Sequence, residues 1–173
     1  MEVGLLVLRI VVGAFFIGHG AQKLFGWFGG HGLSGTGAAF EGLGLRPGRT
    51  MAAIAGASEL IGGVLLAAGL LTPLAAALLI AVMTLAIAIV HWRHGPWVAE
   101  GGWEYSVVLI AVAFAVTAVG PGKYSLDRAL ELDLAGVDWA LIALGVGVVG
   151  AMVVAAAARV RAPDTAGPRA AGA

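Results

Sequence analysis

Cysteine is absent from this chain of 173 residues, and charged residues make up only 12% of it. Without cysteine there is no disulfide, no thiolate metal site, no cysteine-ligated iron–sulfur cluster and no CxxC redox pair. An ordinary soluble domain carries about 25% charged residues, so the low charge excludes that class. The formal net charge is zero and no basic run occurs, so a nucleic-acid partner has no support.

Hydrophobic residues make up 60% of the chain, and glycine is abundant at 28 residues. This composition indicates an integral membrane protein whose helices pack through small residues. Five segments approach the roughly 20 apolar residues that a spanning helix needs. They cover about residues 3–24, 51–71, 74–91, 104–119 and 139–158. The first segment lacks the positive start of a signal peptide, so we expect it to be a retained helix.

The linkers between these segments carry their own signals. Pro73 cannot continue the second helix but fits the first turn of the third, which predicts a tight hairpin. Residues 38–43 are expected to form one helical turn at the membrane interface. Ser125 is expected to cap a short amphipathic helix. The chain after Arg161 is rich in Ala, Pro and Gly, which predicts a disordered tail.

Five spans place the two termini on opposite sides of the membrane. The side away from the N-terminus receives most of the cations, namely Lys23, Arg46, Arg49, Arg93, Arg159, Arg161 and Arg169. The other side receives Lys123 and Arg128. The positive-inside rule therefore predicts an external N-terminus and a cytoplasmic C-terminus in a bacterial inner membrane.

Arg9 and Glu59 are the charged residues that fall well inside apolar spans. A charge near the bilayer centre costs about 2.5–3.5 kcal/mol on insertion scales, so such residues face the bundle interior and find partners there. At 1.5 Å rise per residue the axial gap between them is about 8 Å, which two long side chains or one water can close. We therefore predict a buried Arg9–Glu59 pair. Its plainer interpretation is a contact that fixes helix register without any ligand.

Arg9, His19 and Lys23 share one face of the first helix, because 14 residues bring a helix back to within about 40°. Four helices bring polar side chains to the cytoplasmic end, which predicts a polar pocket there. The candidate catalytic residues are Glu59, Arg9 and His19. The candidate ligand-binding residues are Lys23, Gln22, His91, Glu104 and Trp27. An interfacial aromatic belt is the alternative role for Trp27.

Such a lining suits a molecule with an apolar body and a polar head that exchanges protons, and a quinone fits this description. Its carbonyls need donors such as His19, Lys23 or Gln22, and Glu59 and His91 are placed to relay protons. Heme, ligated by His19 and His91, is a weaker alternative because no other heme signature is present. No ligand pair has the spacing of a metal site, so we predict no bound metal.

Four blocks of sequence resemble the DoxX family of small bacterial membrane proteins. These are LRIVVGAFFIGHGAQKLFGWFGGHGLSGT, ASELIGGVLLAAGLLTPLAA, GPWVAEGGWEYSVVLI and GPGKYSLDRAL, in that order. The resemblance implies a four-helix membrane bundle and a similarity to the small membrane subunit of thiosulfate:quinone oxidoreductase. Some members are linked to a membrane oxidoreductase complex with superoxide dismutase and a sulfurtransferase. The positions that match the family blocks are Arg9, His19, Gly20, Lys23, Glu59, Gly62, Gly63 and Glu104, and the resemblance assigns no catalytic role to them.

The sequence thus predicts an all-α membrane protein with a DoxX-like four-helix domain at 1–132, an additional spanning helix within 133–160 and a tail at 161–173. The expected function is that of a quinone-linked redox or redox-associated subunit without a covalent cofactor. Because the chain lacks an electron carrier, its expected partners are soluble redox proteins or other membrane subunits. A membrane scaffold that recruits soluble redox proteins is the alternative, and a small-molecule transporter is a third. Self-association through the fifth helix is left open.

Overall fold

The computed structural model describes residues 1–160, with side chains to residue 158. The regular structure of these residues is helical throughout. The helices are α1 (Glu2–Phe25), α2 (Gly32–Gly42), α3 (Gly48–Ala68), α4 (Thr72–Ala86), α5 (Glu104–Val119), α6 (Leu126–Ala129) and α7 (Val137–Val160). The α4 helix continues through a π-helical turn at Ile87–His91 and a 3-10 turn at Trp92–His94. The predicted tail at 161–173 lies outside the described residues.

Four helical segments in the described part of the chain are long and apolar enough to cross a membrane. They are Glu2–Phe25, Gly48–Ala68, Thr72–His94 and Val137–Ala158. The α5 helix is also apolar but has 16 residues, which gives a length of about 24 Å. The predicted all-α membrane fold is therefore confirmed, with α1, α3, α4 and α5 forming the bundle and α7 added to it.

The connections between the helices agree with those predicted from the sequence, with one difference. Pro73 lies in the first turn of α4, and the Ser125 side chain caps α6 by accepting a hydrogen bond from the Arg128 amide, as predicted. The α2 helix has 11 residues, although the sequence predicts only one turn. Its glycines disfavour a helix locally, but Gly37 lets α2 pack directly on the backbone at Gly48 and Arg49, and such tertiary packing outweighs weak propensity.

Glycines bring α1 and α3 into close antiparallel contact. A Cβ on Gly13 would lie 2.6 Å from the carbonyl oxygen of Gly63, and a Cβ on Gly20 would lie 2.7 Å from that of Gly56. Only glycine permits such an approach of two helix backbones. This contact fixes the register, so that Glu59 of α3 lies at about the level of Gly18 and His19 of α1. The packing of helices through small residues, which the composition indicates, is therefore seen between α1 and α3.

The remaining bundle helices pack in chain order. The α3 helix contacts α4, α4 contacts α5, and α7 packs along α4 and α5. The bundle core is formed by Phe16, Leu66, Ala75, Leu79 and Val116, which come from α1, α3, α4 and α5. In the described part of the chain, α1 and α5 are not among the closely packed helix pairs. The bundle is therefore more open on the side between α1 and α5, where side chains of both helices, such as Phe16 and Val116, still share the core.

Candidate functional site

A salt bridge between Lys23 of α1 and Glu59 of α3 forms the polar centre of the bundle. Lys23 Nζ donates to Glu59 Oε1 at 2.8 Å and to Oε2 at 2.7 Å. The Glu59 side chain is only 4% exposed and that of Lys23 is 23% exposed. A carboxylate buried to this extent needs a paired charge, and Lys23 supplies it.

The predicted Arg9–Glu59 pair is wrong, because the direction of the side chains keeps the two residues apart. Every Cα–Cβ bond in a helix tilts toward the helix N-terminus. In the antiparallel register, this tilt makes Lys23 and Glu59 lean toward each other, whereas Arg9 and Glu59 lean apart. Arg9 also lies about 14 Å along the axis from the level of Glu59. Each residue therefore has a different partner.

Arg9 belongs to a second polar cluster at the other end of the bundle. Its side chain is fully buried, and Nη2 donates to the carbonyl oxygen of Tyr124 at 2.7 Å. The carboxylate of Asp127 provides the nearby negative charge. Asp127 also accepts hydrogen bonds from the Leu71 amide at 2.7 Å and the Thr72 hydroxyl at 2.6 Å. This cluster ties the α3–α4 hairpin and α6 to α1, and Arg9 does not reach the Lys23–Glu59 pair.

A cavity of about 310 Å³ surrounds the Lys23–Glu59 pair. The described walls come from α1, α2, α3, α4, α5 and the segments that adjoin them, and most of the lining side chains are apolar. The polar lining residues are His19, Lys23, Glu59, His91, Tyr105 and Ser106. Pockets that bind small molecules in proteins have volumes of about 300–1,000 Å³, apolar walls and a few polar groups. The cavity has this character.

His19 and His91 line the cavity on opposite sides, and their hydrogen bonds define which ring nitrogen carries the proton. His91 Nδ1 lies 2.6 Å from the carbonyl oxygen of Gly101, which can only accept, so Nδ1 donates. Gln22 donates its amide group to the carbonyl oxygen of Phe28 at 3.2 Å. This leaves its Oε1 as the acceptor for His19 Nδ1 at 3.1 Å. A neutral imidazole at either position would therefore carry its proton on Nδ1 and leave Nε2 as the acceptor.

The other predicted ligand-binding residues lie outside the cavity lining. Gln22 orients His19 and holds the turn at Phe28. Glu104 begins α5 and accepts a hydrogen bond from the Val98 amide at 2.7 Å, so it stabilises the preceding loop. Trp27 is 59% exposed and stacks beside Phe25 with ring centroids 5.1 Å apart. These three residues support or surround the site.

The sequence interpretation missed two polar lining residues and one backbone feature. Tyr105 and Ser106 lie in the first turn of α5 and line the cavity, and neither side chain makes a hydrogen bond with the described residues. Both hydroxyls are therefore free to donate to a ligand. The π-helical turn that ends at His91 is also part of the wall. Single π-helical turns occur frequently at functional sites, but no sequence pattern marks this one.

Metal binding gains no support from this arrangement. Within residues 1–160 no group of three His, Asp or Glu side chains is placed to hold a metal ion. What the cavity offers is an ion pair, two imidazole acceptors and two hydroxyl donors inside apolar walls. These groups can hydrogen-bond the polar part of a small amphipathic molecule and exchange protons with it.

The fold and the site define a multi-pass all-α membrane protein with a polar cavity inside its bundle. The model of the DoxX family, described simply as DoxX, matches residues 4–92, which contain α1 to α4 and the π-helical turn. The chain belongs to the DoxX family. A protein of Bacillus subtilis (strain 168) named "Putative oxidoreductase CatD" is 33% identical over 116 residues, covering 67% of this chain and 80% of that protein. No solved structure matches the chain.

Proposed function

We propose that this protein is a quinone-linked redox or redox-associated membrane subunit that binds the head of an amphipathic small molecule in the cavity. The single observation that carries the proposal is the Lys23–Glu59 ion pair, because it lies in a cavity of about 310 Å³ with mostly apolar walls. A bundle that needed the pair only to fix its register would have no use for open space beside it. The oxidoreductase name of the Bacillus subtilis relative supports a redox role.

The lining residues have distinct roles in this proposal. Lys23, Tyr105 and Ser106 donate hydrogen bonds to the carbonyl oxygens of the quinone head. His19 and His91 hold or release protons at Nε2, and Glu59 keeps Lys23 charged and in place. A quinone takes up a proton for each electron when it is reduced to the quinol, so a site with proton-exchanging groups on several sides suits this reaction.

The electrons must come from another protein. The chain contains no cysteine, and within residues 1–160 no metal cluster is placed to carry them. A soluble or membrane-bound redox partner is therefore part of the proposal. Heme held by His19 and His91 is a weaker alternative for the ligand, and the visible absorbance of the purified protein distinguishes it from a quinone.

A scaffold function is the second candidate, and exposed aromatic side chains near the cavity end favour it. Phe28 is 74% exposed, Trp92 is 67% exposed and Trp97 is 62% exposed. They provide an apolar surface for a soluble partner or for the membrane interface. A small-molecule transporter is the third candidate, and no observation on the described residues favours it. Binding of a quinone by the isolated chain separates the first candidate from the scaffold.

We also propose that the cavity end of the bundle faces the cytoplasm of a bacterium and that the N-terminus lies outside, because the cations concentrate at the cavity end. The absence of cysteine makes single labelling sites simple to introduce. An impermeant maleimide added to intact cells is expected to label Lys123→Cys and to leave Arg93→Cys unlabelled. The reverse pattern would overturn the orientation.

Substitution of Glu59 tests the proposed function most simply. Glu59→Gln removes the carboxylate and leaves the Lys23 ammonium, whose side chain is 23% exposed, without its partner. Breaking a fully buried pair costs about 3–5 kcal/mol, and the partial exposure of Lys23 makes the cost smaller here. We expect quinone affinity to fall at least about tenfold, measured by titration of a quinone into the purified protein in nanodiscs. Glu100→Gln is the matched control, because Glu100 is exposed at the same end of the bundle.

A double variant separates binding from folding. Lys23→Met with Glu59→Leu replaces the ion pair by apolar side chains, which proteins tolerate well. We expect this variant to insert and elute like the unaltered protein but to bind no quinone. If both variants bound quinone as tightly as the unaltered protein does, the ion pair would have no role in the proposed function.

A further inference from the structure

The open side of the bundle contains a narrow crevice between α1 and α5. Its space is about 30 Å³ and its walls come from these two helices alone. The wall residues are Val12, Phe15, Phe16, His19, Tyr105 and Leu109. Because α1 and α5 are not closely packed in the described part of the chain, only side chains separate this crevice from the surroundings of the bundle.

The crevice adjoins the cavity that contains the Lys23–Glu59 pair. Phe16, His19, Tyr105 and Leu109 line both spaces. His19 and Tyr105 therefore stand where the crevice meets the cavity, and Tyr105 is 50% exposed. Val12 and Phe15 lie on the outer part of the crevice and do not line the cavity. A path thus leads from the side of the bundle to the ion pair, apolar first and polar at its inner end.

The depth of the crevice determines what lies outside it. Val12 is ten residues along α1 from Glu2, which corresponds to about 15 Å of helix. The hydrocarbon core of a bilayer is about 30 Å thick, so the outer part of the crevice lies at the level of the lipid tails. The exposed ring of Phe15 and the side chain of Val12 therefore face acyl chains and not water.

We propose that the gap between α1 and α5 is a lateral entry route, through which a ligand moves from the lipid phase into the cavity while its apolar tail stays in the crevice. This inference rests on the proposed function for the identity of the polar head, and it adds the chemical class of the whole ligand. The ligand is an amphiphile with a flexible apolar tail, because a crevice of about 30 Å³ has room only for the part of the tail next to the head, and the rest of the tail extends into the lipid. A water-soluble substrate has no use for such a slot.

Filling the crevice tests this proposal. Val12→Trp places a large ring in the outer crevice, and Val11→Trp is the matched control, because Val11 is the neighbouring residue on the same helix, is 47% exposed and lines neither space. The probes are a decyl-substituted benzoquinone and the same benzoquinone head without a tail, each titrated into the protein in nanodiscs. We expect Val12→Trp to weaken binding of the tailed probe about tenfold and that of the tail-free probe less than about twofold. Val11→Trp is expected to leave both unchanged.

A second variant keeps the test decisive if Val12→Trp does not fold. Phe15 is 62% exposed, so Phe15→Ala disturbs the bundle little while it removes one wall of the crevice. We expect it to weaken the tailed probe about threefold and to spare the tail-free probe. Equal effects on both probes, or none, in the folded variants would overturn the lateral route and leave the proposed function intact. Failure of the unaltered protein to bind either probe would instead overturn the proposed function and this inference with it.

Discussion

Among single residues, the cation that reaches Glu59 is Lys23 and not the predicted Arg9. Depth along the helix axis alone favoured Arg9, since the predicted gap was small enough for two long side chains to close. Because side chains tilt toward the N-terminus of each helix, Lys23 reaches Glu59 and Arg9 does not. Lys23 Nζ lies 2.7 Å from the Glu59 carboxylate. Because α1 and α3 are consecutive spans, they cross the membrane in opposite directions, so the tilt that pairs Lys23 with Glu59 could have been worked out from the sequence.

Other residues could not have been predicted. Asp127 belongs to a helix of four residues, and no periodicity in so short a segment marks its inner face. Its carboxylate is nevertheless 2% exposed and caps the start of α4. Tyr105 is a similar case, because its place in the cavity depends on how far α5 stands from α1. The sequence predicted that His19, Lys23, Glu59 and His91 lie near one another, and these four do line one cavity.

At the scale of elements, apolar length was sufficient to locate the spanning helices. The predicted spans and the observed α1, α3, α4, α5 and α7 agree to within a few residues at each end. The full length of α2, beyond the one turn expected at residues 38–43, and the π-helical turn after α4 were not predicted, because both depend on tertiary contacts that the local sequence does not specify. The abundance of glycine indicated close helix packing, and the contact of α1 with α3 through Gly13, Gly20, Gly56 and Gly63 positions the salt bridge.

A single methyl group tests the importance of that contact. Gly20→Ala would place its Cβ 2.7 Å from the Gly56 carbonyl oxygen and 2.7 Å from the Leu60 nitrogen, both backbone atoms of α3. Such overpacking costs about 1–3 kcal/mol, so we expect a lower unfolding temperature for the purified protein, followed by tryptophan fluorescence. Gly18→Ala is the matched control on the same helix, because nothing lies within 4 Å of its Cβ.

The control is expected to keep or slightly raise the unfolding temperature, because alanine is favoured over glycine in a helix by about 0.5–1 kcal/mol. Equal unfolding temperatures for the two variants would show that α1 and α3 are not held at the distance that the glycines imply. The position of Lys23 relative to Glu59 would then need to be reconsidered.

At the scale of the whole molecule, the bundle has two polar centres with different roles. The Arg9–Asp127 cluster lies at one end and uses its hydrogen bonds to join the hairpin before α4 to α6 and α1. The Lys23–Glu59 pair lies toward the other end and faces open space. From the sequence, Arg9 was expected at the same site as Lys23 and Glu59, because the register that separates it from them was not known. Stability and binding are therefore expected to depend on different residues.

The central claim is that the cavity around Lys23 and Glu59 holds the head of an amphipathic ligand, and photo-cross-linking tests it most directly. A benzoquinone with a photoreactive group on its ring is added to the protein in membranes, irradiated, and the adducts are located by mass spectrometry. We predict adducts on the peptides that contain Lys23 or Tyr105, and their loss when excess unmodified quinone competes. Adducts confined to the lipid-facing side chains of α7, or adducts that the competitor does not reduce, would contradict the account.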